Sequence, residues 1–155
     1  PRRAGMAERV RAWVPAHAVG WASAAEVDEV GIIRALGLAA ARAIEELRVQ
    51  GVDIGDALVV LDGNHDYITP VAPVGRGVLP IIKADRDCAS ASAASVIAKV
   101  ARDEHMSELD AEVPVYGWAR NKGYASAEHR AAIEEHGLSG HHRASWSIAA
   151  APTLF

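Results

Sequence analysis

The segment ALVVLDGN, residues 57–64, sets five apolar residues in a row and closes them with Asp62, Gly63 and Asn64. A short continuous apolar run bounded by turn-formers reads as a strand buried on both faces, and the acid-glycine-asparagine triplet as the turn ending it. Upstream, Ile33, Leu36, Ala40, Ile44 and Leu47 recur at steps of three and four, the period of an amphipathic helix that Gly51 can terminate. Before them Ser23 and Glu26 have the spacing of a capping box. A helix followed by a buried strand predicts a mixed α/β layer fold.

The same reading extends to both ends of the chain. Residues 2–14 suggest a basic helix with Met6, Val10 and Trp13 inward, and His17 to Ala22 a short strand. Pro70 to Pro80 reads as a surface loop, Val78 to Ile82 as a short strand, and about Ser90 to Asp110 as a helix burying Ala93, Val96, Ile97 and Val100. A last helix is expected from Ala127 to His136, with Ser126 as N-cap and Gly137 as stop.

The 155 residues are half hydrophobic and 23% charged, which suits a globular chain. A chain of this size buries about 70% of its unfolded surface. Stretches such as Ala57 to Leu61 fall well short of the ~20 apolar residues that span a bilayer, and no charged-then-apolar leader opens the sequence, so a cytoplasmic protein without membrane attachment is expected. Cys88 is the single cysteine, which rules out an internal disulfide. A net charge of −4 argues against coating nucleic acid by bulk attraction, while leaving room for a local basic patch. Because the sequence opens on Pro1, a fragment or processed form is expected.

Two acids stand at predicted element ends, Asp62 and, in IIKADRD at residues 81–87, Asp85. Carboxylates at neighbouring strand ends repel unless a cation lies between them, and oxygen ligands select hard ions such as Mg2+ or Mn2+. Two such ions about 4 Å apart can assist phosphodiester hydrolysis. On spacing alone an Asp placed as Asp62 is more often just a turn-former, and Asp85 can be read as a capping or surface acid. Between Tyr116 and Trp146 the chain interleaves aromatic residues and histidines with four Lys or Arg against three Glu. Such a stretch fits phosphate attraction with aromatic stacking, or a solvated turn over buried tryptophans.

Taken together, VVLDGNHDY, IKADRDCASASAASVIAKVARD, YGWARNKGYASAEHR and GLSGHHRASW resemble type 2 ribonuclease H, ribonuclease HII, from about Pro1 to Ile148. The resemblance implies a ribonuclease H-like α/β fold, a mixed sheet flanked by helices with a C-terminal helical substrate-binding segment. It divides the chain into a partial catalytic domain at 1–110, a nucleic-acid-binding segment at 111–148 and a tail at 149–155. It also implies metal-dependent endonucleolytic cleavage of the RNA strand of RNA–DNA hybrids and at ribonucleotides embedded in DNA, leaving 5′-phosphate and 3′-hydroxyl ends, as in ribonucleotide excision repair. Asp62 and Asp85 match the family's third and fourth catalytic, metal-binding acids, although Ala84 stands where glycine is common. Tyr124 matches the tyrosine stacking under the sugar at the RNA-to-DNA step. Lys122, Ser126, His142 and Arg143 fall in the same binding segment, while Ala144 replaces a frequent arginine. No stable protein partner is implied.

One part of the family pattern is unmatched. Its first two acids lie in a DExGRG turn after an N-terminal strand, and neither VDEVGII at Val27 to Ile33 nor VGRG at Val74 to Gly77 fits that setting. Asp28 and Glu29 follow a capping serine into helical periodicity, and Arg76 lies in a loop with no acid pair before it. Little activity is therefore expected of these residues alone. Two other readings exist. One is a hybrid-binding module that does not cut. The other is a metallophosphoesterase-like hydrolase, suggested by GNHD at Gly63 to Asp66 but lacking that fold's remaining motifs.

Overall fold

Two parallel strands and seven α-helices make up a mixed α/β chain in the computed structural model, which describes residues 2–146. The expected tail at 149–155 lies outside the described residues. In order, these are α1 (Arg2–Trp13), α2 (Ala24–Val30), α3 (Ile32–Val49), β1 (Val59–Asp62), β2 (Val78–Ile81), α4 (Ala84–Asp87), α5 (Ala89–Glu112), a 3-10 turn (Pro114–Tyr116), α6 (Trp118–Asn121) and α7 (Ala127–His136). They form two compact units: one holds the residues up to Ala22 with Val30–Ala101, the other Ser23–Glu29 with the residues from Arg102 onward.

In the first unit, Ile44 of α3, Leu61 of β1 and Ile54, Ile68 and Ala72 of the connecting loops form a buried cluster, with Leu47, Val59, Tyr67 and Val78 packed against it. The α3 helix stops as its glycine predicts. Val49 is the last helical residue, Gln50 is the C-cap, and Gly51 takes φ 86°. The Gly51 N–H then reaches Arg48 O at 2.9 Å and the Val52 N–H reaches Leu47 O at 3.0 Å. This pair of bonds is the Schellman closure, and it needs a residue that tolerates positive φ.

Several expectations need correction. On α3, Ile44 is buried with Ala40 and Leu47 packed beside it as expected, while Ile33 and Leu36 near the helix start are exposed and Ala35 is buried in their place. A break at Gly31 starts α3 afresh after α2, so the two helices need not share one face. On α1 it is Ala7 that is buried, whereas Met6 and Trp13 are exposed, because arginines all around this helix leave the sequence no clear apolar side.

His17 to Ala22 form no strand. Their backbone lies along α3 instead: a Cβ on Gly20 would come within 1.8 Å of Ala39 O. The carbonyls of Trp21 and His17 accept from Arg42 Nη1 and Gln50 Nε2, at 2.5 and 3.2 Å. Side chains of α3 thus replace the ladder partners that a strand would require.

The strands pair in parallel with Asp62 opposite Ile81. Only Leu61 of β1 is buried, whereas Leu58, Leu79, Ile81 and Ile82 are exposed, so among the described residues the sheet is covered on one face rather than two. Continuous apolar sequence records what a strand can bury, not what meets it.

The second unit packs Leu109 of α5 with Tyr116 and Trp118, the two rings stacked at 4.9 Å, and with Met106, Val113, Ala132 and Ile133. Helix α5 follows the expected course and buries Ala93, Ile97 and Val100 along its first half, with Val96 only half-buried. Helix α7 has the expected ends: Ser126 Oγ accepts the His129 N–H at 3.2 Å, and Gly137 follows His136. The Ser23–Glu26 capping box is also formed, with both reciprocal bonds in place at 2.9 and 3.2 Å.

Candidate active site

Asp62 ends β1 with its side chain exposed, and its Oδ1 accepts the backbone N–H of Ala84 at 2.9 Å. That N–H belongs to the first turn of α4, where a helix leaves donors unsatisfied. Lys83, immediately before, takes the left-handed conformation at φ 62° and bends the chain out of β2 and into α4. Asp85 is the next residue after Ala84 and lies half-buried in the same first turn. Strand register and one side-chain-to-backbone bond therefore bring the loci of the two sequence-predicted acids together. Tyr67, unremarked in the sequence, shares this neighbourhood: burial first, and the Asp62 carboxylate second, push its phenol above the ordinary range.

The donor set at this place fits a hard divalent cation in kind but not in number. Two carboxylates are present, and among the described residues no group of three or more His, Cys, Asp or Glu is placed to hold a metal. The neighbouring Asp66 is occupied locally, its carboxylate accepting from the N–H groups of Ile68 and Thr69 and from the Thr69 hydroxyl. Those bonds, the Thr69 hydroxyl first, hold its pKa below the usual carboxylate range. Asp66 is therefore a turn-closing acid, and GNHD gains no metal-binding partner from it.

In the second unit Tyr124 stands in the open, 67% exposed, where the turn after α6 leads into α7. Arg102 of α5 holds it from one side, with its guanidinium carbon 4.7 Å from the ring centroid, Nη1 bonded to the phenol oxygen at 3.1 Å and Nη2 to Lys122 O at 2.8 Å. Arg102 was not singled out in the sequence; its separation of 22 residues from Tyr124 gives no local signal. Lys122, at φ 52°, turns its ammonium inward to Asp103 O and Ser107 Oγ, at 3.0 and 2.7 Å. Ser126 caps α7, and the Arg143 guanidinium lies 3.7 Å over the Trp146 ring.

His142 is built into the unit rather than displayed on it. The Ser139 N–H donates to its Nδ1 at 3.0 Å, and its Nε2 lies 3.1 Å from Nε2 of the buried His129. Trp118 Nε1–H also donates to His129 Nε2, at 3.3 Å, and His129 Nδ1 is 3.0 Å from Tyr124 O. Burial, and next His129, hold the His142 imidazole below the ordinary histidine range.

Asp28, set aside as a metal ligand, has a different use. Its carboxylate accepts the N–H groups of Ala144 and Ser145 and the Ser145 hydroxyl, tying the turn after Arg143 to α2. The Ser145 hydroxyl, more than the other contacts, lowers its pKa below the usual carboxylate range.

A mixed α/β chain with an acid at a strand end, a second acid in the adjoining helical turn and an aromatic-basic C-terminal segment is consistent with the ribonuclease H-like class. The family model described as Ribonuclease HII matches residues 2–149, and the chain belongs to the ribonuclease HII family. It is 46% identical over 146 residues to a ribonuclease HII of Streptomyces avermitilis, covering 94% of this chain and 59% of the relative. A ribonuclease HII of Shewanella baltica is 47% identical over 130 residues, covering 83% and 59%. One from Bacteroides thetaiotaomicron is 37% identical over 147 residues, covering 95% and 69%. The chain thus spans 59% of the length of the Streptomyces avermitilis relative.

Proposed function

We propose that this chain carries the substrate-gripping surface and two of the acids of a nuclease that hydrolyses the RNA strand of RNA–DNA hybrids and cuts at single ribonucleotides in DNA, leaving 5′-phosphate and 3′-hydroxyl ends. The observation that carries the reading is the Asp62–Ala84 bond at 2.9 Å, which sets the strand-end acid beside the turn holding Asp85. Asp62 and Asp85 would contribute oxygen ligands to Mg2+ or Mn2+. Such ions, once bound, supply positive charge where charge develops on the attacking and leaving oxygens. Tyr124, exposed and held by Arg102, would stack on the sugar at the ribonucleotide. Ser126 and His142 would keep that surface in shape, with Arg143 and the segment at 111–148 contributing to the grip.

The chain's own two acids are too few for such a site, so little cleavage is expected of these 155 residues alone. The test is cleavage of a DNA duplex containing one ribonucleotide, with Mg2+ or Mn2+, by this chain and by a form extended upstream with a strand and an Asp-Glu-x-Gly-Arg-Gly turn. Restored cutting in the extended form supports the reading; no cutting by either form overturns it. The small acid set favours a second reading, a hybrid-binding module without catalysis. That reading predicts tight hybrid binding with no cleavage, whether or not the turn is added.

A further inference from the structure

The hydrogen bonds around the two paired histidines fix their protonation. Ser139 N–H can only donate, so His142 Nδ1 must accept. The proton of neutral His142 then sits on Nε2 and points at His129 Nε2, 3.1 Å away. His129 Nε2 must therefore accept, as it also does from Trp118 Nε1–H. The remaining proton of His129 lies on Nδ1 and is donated to the carbonyl of Tyr124 at 3.0 Å. A proton added to His129 Nε2 would face the Trp118 Nε1–H, and one added to His142 Nδ1 would face the Ser139 N–H, with the Ser139 hydroxyl at 2.9 Å as its one acceptor.

We propose that His129 is a positioning residue for Tyr124: in its neutral, Nδ1-protonated form, with His142 fixing that form from behind, it holds the backbone that presents the exposed ring to the substrate. The inference rests on reading Tyr124 as the sugar-stacking residue. The groups facing the pair are few. His141 packs edge-on to Trp118 at 5.8 Å, the Tyr116 phenol is bonded to Gly137 O, and Arg143 follows His142 in the chain. None of them is an acid, and the one neighbour that favours a charged His142 is Ser139, through its backbone and a hydroxyl 2.9 Å from Nδ1. Arg102 grips the same tyrosine by its ring and hydroxyl, while the backbone carbonyl is held by His129 Nδ1 at 3.0 Å together with the Ser126 N–H at 2.8 Å.

The test measures discrimination, the ratio of dissociation constants for an all-DNA duplex and the same duplex with one ribonucleotide, across pH in the full chain. Nitrogen-detected NMR of the rings should show His129 protonated on Nδ1 and His142 on Nε2 at neutral pH; the opposite pair of tautomers overturns the proposal. Discrimination should fall on acidification with the midpoint at which the ring protons report protonation of His142, and clearly separate midpoints overturn it. His129→Ala should lose discrimination on the order of tenfold, the scale of one lost stacking contact, matching Tyr124→Ala. His129→Asn, whose amide N–H can stand where Nδ1–H stood, should keep most of it. If Tyr124→Ala loses discrimination while folded His129→Ala keeps it, the positioning role fails and the function stands. If Tyr124→Ala discriminates as the wild type does, the stacking role fails and takes the inference with it.

Discussion

Asp62 and Ala84 are joined by a side-chain-to-backbone hydrogen bond of 2.9 Å, so the end of one strand is fastened to the turn that carries the second acid. Charge and hydrogen-bond acceptance can be separated at this position. Asp62→Asn keeps an acceptor oxygen and should melt within about 2–4 °C of the wild type, the shift expected from less than ~1 kcal/mol in a chain of this size. In the form extended with the Asp-Glu-x-Gly-Arg-Gly turn it should still lose most Mn2+ affinity. Asp62→Ala should lose both, with about 1 kcal/mol of stability. Calorimetric metal titration beside thermal melting reads the two effects.

Gly20 meets the backbone of α3, where a methyl group would lie 1.8 Å from Ala39 O. The obstacle is main chain and cannot swing aside. Gly20→Ala should destabilise the chain by about 1–3 kcal/mol, as overpacking does. Urea unfolding of the two forms measures it, and an unchanged midpoint would refute the close approach.

Asp28 holds the turn at Ala144 and Ser145 through three bonds to one carboxylate. Asp28→Ala should abolish hydrogen-exchange protection of the Ala144 and Ser145 amides and leave the α7 amides protected. Acid should act in the same direction on the wild type. The folded carboxyl ionises below its usual value, so its contribution is present above the unfolded pKa and is lost as pH falls through the lower folded one.

His142 has the opposite charge type and the same sense of pH effect. Its folded pKa lies below the ordinary histidine value, so between the two the unfolded chain binds more protons. Stability should begin to fall once pH drops below about 6.5, the ordinary value, and continue falling until the folded ring itself titrates. His142→Gln, which can keep a donor near the Nε2 position without titrating, should flatten thermal stability over that window.

Local rules were legible and long-range ones were not. The Ser23–Glu26 box, the Gly51 closure and the two ends of α7 each depend on residues within five positions of one another, so the sequence suffices to place them. The supposed strand at His17 to Ala22 failed because its carbonyl partners, Arg42 and Gln50, lie 21 and 33 residues away on a helix. The exposure of Leu79 and Ile82 shows the same limit, since a side chain's neighbours are set by tertiary packing. In the site, Asp62 and Asp85 could be named from motif and element ends. Arg102, Tyr67 and His129 could not be assigned their parts, because their partnerships exist only once α5, the loops and α7 are assembled.

Lys122 and Arg130 count as two phosphate-seeking cations in any tally of the basic segment, yet both heads are bonded to oxygens of their own chain, Lys122 to Asp103 O and Ser107 Oγ and Arg130 to Ala125 O. A cation that stays on its own protein displaces no condensed counterion from a duplex. If both remain so held on binding, the logarithmic dependence of affinity on salt should be shallower than the sequence tally gives by about 1.8, some 0.9 for each phosphate left unneutralised on B-form DNA.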